Sequence, residues 1–116
     1  MQITSFAEGG LFAPARIAEA LRTTKDEVAR TVGLGRDALM RPDRVQSPKT
    51  QRRLREMVEI LNRVEQRFGS ALIAYAWYRS EPLAGFGGLT PMQLVQRGQA
   101  AEVMDYIDAV DAGLHA

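Results

Sequence analysis

Residues 47 to 69 read SPKTQRRLREMVEILNRVEQRFG, and their spacing decides the fold. Leu54, Met57, Val58, Leu61, Val64 and Phe68 recur at three- and four-residue intervals, which places apolar side chains along one face of an α-helix. Ser47-Pro48 supplies an N-cap followed by a first helical residue that has no N–H to satisfy, and Gly69 supplies a left-handed stop. A long helix with one apolar face needs partners on that face, and the flanking sequence offers further helices. Towards the N-terminus, Pro14 opens a helix carrying Ile17, Ala18 and Leu21 on one side. Thr24-Lys-Asp-Glu27 has the spacing of a capping box and opens a second helix that Gly33 closes. Arg36 to Arg41 make a short third helix, stopped by Pro42.

Towards the C-terminus, Ser70 to Tyr78 is apolar on all sides, which predicts a helix buried in the middle of a bundle. Pro91 to Arg97 form a short helix ended by Gly98, and Ala100 to Ala112 form a last one ended by Gly113. On that last helix Val103, Tyr106, Ile107 and Val110 face one way while acidic residues sweep the other. No strand pattern competes and nothing repeats at a fixed period. The predicted fold is all-α: a compact helical domain with a boundary near Gly69. Residues 1–69 form a helix-turn-helix-like unit with the long bridging helix, and residues 70–116 form a small helical unit.

Composition narrows the function. A chain of 116 residues, 46% hydrophobic and 25% charged, is long enough to bury a core and is neither disordered nor a coiled coil. With no cysteine there is no disulfide framework and no thiolate metal site, and the N-terminus lacks a signal-peptide pattern, so a cytoplasmic protein without a membrane partner is expected. The net charge of +1 hides an uneven distribution. Residues 36 to 55 carry seven basic against two acidic side chains, a local balance of +5, whereas residues 98 to 116 carry four acidic side chains and no Lys or Arg, a balance of −4. This asymmetry points to two faces with different partners, one of them polyanionic, or else to solvated faces at either end.

Residues 24 to 41 have the spacing of a helix-turn-helix. Val28-Ala29 form the buried pair, Gly33-Leu34 the turn with its apolar anchor, and Leu39 the inward residue of the recognition helix, leaving Arg36, Asp37 and Arg41 outward. Pro42 departs from the pattern by cutting that helix to about a turn and a half. A helical hairpin that only packs has the same spacing. If the unit meets DNA, Arg36, Arg41, Arg44, Lys49, Arg52 and Arg53 are the candidate phosphate contacts.

Residues 77 to 95, WYRSEPLAGFGGLTPMQLV, form a connection in which nearly every residue has a conformational role. Pro82 pushes Glu81 out of the α region, Gly85, Gly87 and Gly88 permit positive φ, and Thr90-Pro91 reads as a cap and a helix start. Trp77, the loop proline, the Phe86-Gly-Gly turn and the Thr-Pro start, followed by Leu94, Gly98 and Val103, resemble the carboxy-terminal domain of the MbcA/ParS/Xre antitoxin family over residues 70 to 114. Members of that family partner RES-domain toxins that consume NAD, and commonly carry an Xre-like helix-turn-helix in front. The resemblance implies a type II antitoxin that binds and blocks its cognate RES-domain toxin and represses its own operon. Its implied toxin contacts are Trp77, Pro82, Phe86, Gly88 and Pro91, with the tail Leu114, His115 and Ala116 reaching the toxin's NAD pocket. It also implies a homodimer or a hetero-oligomer with the toxin. The alternatives are a free-standing helix-turn-helix regulator whose second half only dimerises, and a purely structural adaptor for some other protein.

Enzyme chemistry finds no constellation. His115 is the one histidine and lies next to the chain end, and no pair of ligands has zinc spacing. The carboxylates at 102, 105, 108 and 111 step around a helix instead of converging and read as a solvated face. Gly85-Phe-Gly-Gly lacks the lysine of a phosphate-binding loop. No cofactor is expected.

Overall fold

The computed structural model describes residues 7–8 and 10–114. Helices α1 (Pro14–Ala20), α2 (Lys25–Thr31), α3 (Pro42–Val45), α4 (Pro48–Phe68), α5 (Ala71–Ser80), α6 (Pro91–Gln96) and α7 (Ala100–Leu114) make the described chain an all-α fold. A single 3₁₀ turn, Arg36–Leu39, precedes α3. The antiparallel pair β1 (Ala7–Glu8) and β2 (Leu11–Phe12), with Ala7 opposite Phe12, was not expected from the sequence. Two-residue strands are too short to show an alternation.

Helix α4 is the axis. The Ser47 side chain accepts from Thr50 N–H, Pro48 takes the first position, and Gly69 turns left-handed at φ 73° with its N–H on the Glu65 carbonyl. Leu54, Met57, Val58, Leu61 and Val64 are buried as the periodicity requires, and so is Ile60. Ile60 widens the apolar stripe because α5, α6 and α7 all pack on α4. Near its start, Gln51 clamps the N-terminal pieces: its Oε1 accepts from Phe12 N–H at 2.8 Å, and its Nε2 donates to the carbonyls of Phe12 and Val45 at 3.1 and 2.9 Å.

The end of α2 is sealed by side chains from three other helices. Gln96 Nε2 donates to the Arg30 carbonyl at 2.8 Å, Tyr78 Oη to the Thr31 carbonyl at 2.7 Å, and Arg53 Nη1 to the Val32 carbonyl at 3.3 Å and also to the Val95 carbonyl. Carbonyls at a helix end lack a partner inside the helix, so Tyr78 satisfies the buried Thr31 carbonyl, while the exposed Arg30 carbonyl, which already accepts from Gly33 N–H at 3.1 Å, gains a second donor in Gln96. Gly33, at φ 75°, follows directly; a Cβ there would stand 2.9 Å from Gln96 Cα. The residue is glycine both for its backbone and for the approach of α6.

Two expectations are corrected. Helix α5 is not buried on all sides: Ala74, Tyr75 and Tyr78 face the core, whereas Ala76 is exposed and Ile73 is 53% exposed. The acidic face of α7 is not simply solvated. Asp108 takes an ion pair from Arg63 at 2.6 Å, and Asp111 takes one from Arg63 at 3.2 Å and one from Arg67 at 2.6 Å. These pairs fasten the last turns of α7 to α4.

Candidate functional site

Residues 81–90 form a closed loop. Glu81 leaves α5 in an extended conformation, φ −87° and ψ 112°, as Pro82 demands. Leu83 N–H then donates across the loop to the Leu89 carbonyl at 2.9 Å, and Phe86 and Leu89 N–H donate to the carbonyls of Leu83 and Phe86 at 3.3 and 3.2 Å. Gly85, Gly87 and Gly88 take the positive φ values that make this path possible. At the exit, Thr90 and Gln93 form a reciprocal capping box: Thr90 Oγ1 accepts from Gln93 N–H at 3.2 Å, and Gln93 Oε1 accepts from Thr90 N–H at 2.9 Å.

The side chain that anchors this loop is Leu83, 2% exposed in the core. Sequence reading passed over it because a lone leucine between a proline and glycines has no periodicity. Trp77 and Phe86 are half-buried, Phe86 meeting Tyr106 edge to face with ring centroids 6.3 Å apart. Pro82 and Gly88 lie on the surface, while Pro91 is buried at the start of α6. Leu114 closes α7, and His115 and Ala116 lie outside the described residues. Ile73 and Ala76 extend the half-exposed Trp77 along the outer side of α5, giving an apolar surface on the helix that leads into the loop. An all-apolar helix hides which of its residues face out, so Ile73 could not be singled out from the sequence.

Thr24 caps α2 by accepting from Glu27 N–H at 3.2 Å, but Glu27 does not complete the box. Its carboxylate takes the Arg30 guanidinium at 2.9 Å, and that hydrogen bond holds Glu27 below the usual carboxylate range. Val28, Ala29 and Leu39 are buried and Leu34 packs on the core, as either a helix-turn-helix or a hairpin that only packs requires. The segment expected to read DNA is one 3₁₀ turn, after which Pro42 restarts the chain as α3. Arg36 lies 3.2 Å from Asp26. Arg41, Arg44, Lys49 and Arg52 are exposed. Arg53 differs from them: its guanidinium is held by the Val32 and Val95 carbonyls and faces Glu56 Oε1 at 4.0 Å, so it joins helices instead of pointing to solvent. Burial pushes the Tyr78 pKa well up, which keeps its hydroxyl a neutral donor to Thr31.

Among the described residues no group of three or more His, Asp or Glu side chains could hold a metal ion, and no helix is long and apolar enough to cross a membrane. Compared with known proteins, residues 63–113 match the family described as the antitoxin Xre/MbcA/ParS C-terminal toxin-binding domain. No curated protein and no solved structure matches the chain.

Proposed function

We propose, from the premise that residues 63–113 are an antitoxin toxin-binding domain of the Xre/MbcA/ParS family, that this chain neutralises a RES-domain toxin by covering the toxin's NAD site. The family match is the observation that carries the reading. Two features support it physically. The loop of residues 81–90 is closed by its own hydrogen bonds, so little conformational entropy remains to be lost on docking. On the helix that leads into it, Ile73, Ala76 and Trp77 offer apolar area of the kind that forms interface centres.

Co-expression with the toxin encoded alongside should restore growth and preserve cellular NAD. A chain stopped after Ala112 keeps Val103 and Ile107 in the core, so it should fold yet protect poorly if the last residues enter the toxin's pocket. Equal protection by the shortened chain would move inhibition to the loop surface around Phe86. Loss of toxin binding by the full chain would leave the regulator reading.

A second role, repression of its own operon, is favoured by the exposed cations Arg36, Arg41, Arg44, Lys49 and Arg52. With Arg53 engaged internally, contact through the remaining cations should give log affinity a slope near −4.5 against log salt, about 0.9 per phosphate. Absent binding to upstream DNA, with toxin present, would reduce the first half to scaffold.

A further inference from the structure

A second polar feature lies away from the one-turn recognition segment. Lys49, Arg52, Arg53 and Glu56 on α4, together with Gly98 in the turn between α6 and α7, line a cavity of about 270 Å³. Three cations face one carboxylate here; Arg53 lies 4.0 Å from Glu56 Oε1, a buried oxygen without a hydrogen-bond partner, and its guanidinium is held by the Val32 and Val95 carbonyls. Lys49 and Arg52, three residues apart on one helix side, have no ion-pair partner among the described residues. The position is costly for the helix. The first turn of α4 holds no acidic residue and places Lys49 where the helix dipole is positive, the end at which cations are disfavoured. Such a conflict with local electrostatics is resolved when an anion is present.

We infer that this cavity binds a phosphate ester, with Lys49 and Arg52 as its charge partners and the fixed Arg53 guanidinium shaping its wall. Two sources share that chemistry, a duplex backbone and a free nucleotide. The backbone source rests on the operator-binding reading above and adds to it that the turn of the toxin-binding unit at Gly98 stands against DNA.

The test uses the full chain in two arms. In the first, fluorescence anisotropy follows binding to duplex from upstream of the gene across a salt series. Lys49→Ala/Arg52→Ala, both on exposed positions and checked for fold by circular dichroism, should bind about tenfold more weakly and flatten the salt slope by about 1.8. In the second, inorganic phosphate and AMP are titrated into labelled protein, and the Gly98 amide should shift in the native chain and not in the double variant. If Arg41→Ala/Arg44→Ala removes DNA binding while Lys49→Ala/Arg52→Ala leaves it intact, and phosphate moves no Gly98 signal, the cavity is not a phosphate site although operator binding stands. If the native chain binds no duplex, operator binding fails, and the phosphate and AMP titration alone decides for or against a free-nucleotide site. If the double variant instead loses toxin affinity with DNA and phosphate responses unchanged, the cavity takes an acidic protein group and the inference is overturned.

Discussion

Residues 35–47 and residues 81–90 are both short connections with a proline near an exposed turn, and they are held in different ways. In the first, the backbone bonds are local: Ala38 N–H on Gly35, Met40 on Asp37, Val45 on Arg41 and Ser47 on Arg44, with Leu39 the one buried side chain. Each turn is held, but no backbone bond ties one turn to the other. In the second, the bond from Leu83 to Leu89 closes the path, Leu83 fills the core beneath it, and a capping box fixes the exit. Each has one proline and one buried leucine; the three glycines of the second and the bond they allow across the loop separate the two. The closed loop offers a fixed surface, which suits a protein partner. The other segment carries the exposed cations Arg36, Arg41 and Arg44, which suit a polyanion whose charges repeat.

The strongest way to break this contrast is Leu83→Ala. Truncating a buried leucine should cost about 2–5 kcal/mol, and here it should also weaken toxin binding because the loop loses its anchor. Leu39→Ala, equally buried, should cost stability in the same range while sparing the toxin interface. Denaturant unfolding with a toxin titration checks both, and a Leu83 variant with unchanged affinity would mean that the loop's shape does not matter to the partner.

A smaller effect separates two glycines. Gly85→Ala meets open space and should cost only the roughly 1–2 kcal/mol of a side chain in the left-handed region. Gly33→Ala bears that cost and also drives a Cβ to 2.9 Å from the Gln96 backbone, so its melting temperature should fall further. Equal losses would show that α6 yields easily at its contact with α2.

The weakest expected effect is at the α7 clamp. The guanidinium groups of Arg67 and Arg63 lower the Asp111 pKa, so its contribution is present above the ordinary aspartate value and disappears as pH falls through the depressed one. Asp111→Asn should therefore lower the melting temperature slightly at neutral pH and low salt, with the gap to the native chain closing in acid and in high salt. A gap that persists in acid would assign the effect to something other than these ion pairs.

Features written in single residues were legible in the sequence: the Ser47 cap, the Gly69 stop, the Pro82 restriction and the Thr90-Pro91 start each act on the backbone within a turn of themselves. The stripe on α4 was legible because period alone defines a face, although Ile60 was missed since the sequence does not say how many neighbours cover that face. What stayed hidden depends on distant residues. Arg53 looks like any other cation in a basic run until Val32 and Val95 are brought to it. Asp108 and Asp111 look solvated until α4 presents Arg63 and Arg67. Arg22 adopts a left-handed φ of 54° after α1 without the glycine that would announce it.

The sealing of α2 by Gln96, Tyr78 and Arg53 bears on how such a chain can be rebuilt. A front portion excised at Gly69 and grafted onto another partner-binding unit would arrive with the Thr31 carbonyl stripped of its Tyr78 donor, the Arg30 carbonyl left with the Gly33 N–H alone, and Gly33 facing an empty space. The graft would take only if the recipient brought a tyrosine and a glutamine to the same two places. In this architecture, swapping specificity means exchanging matched halves, with α2, α5 and α6 inherited together.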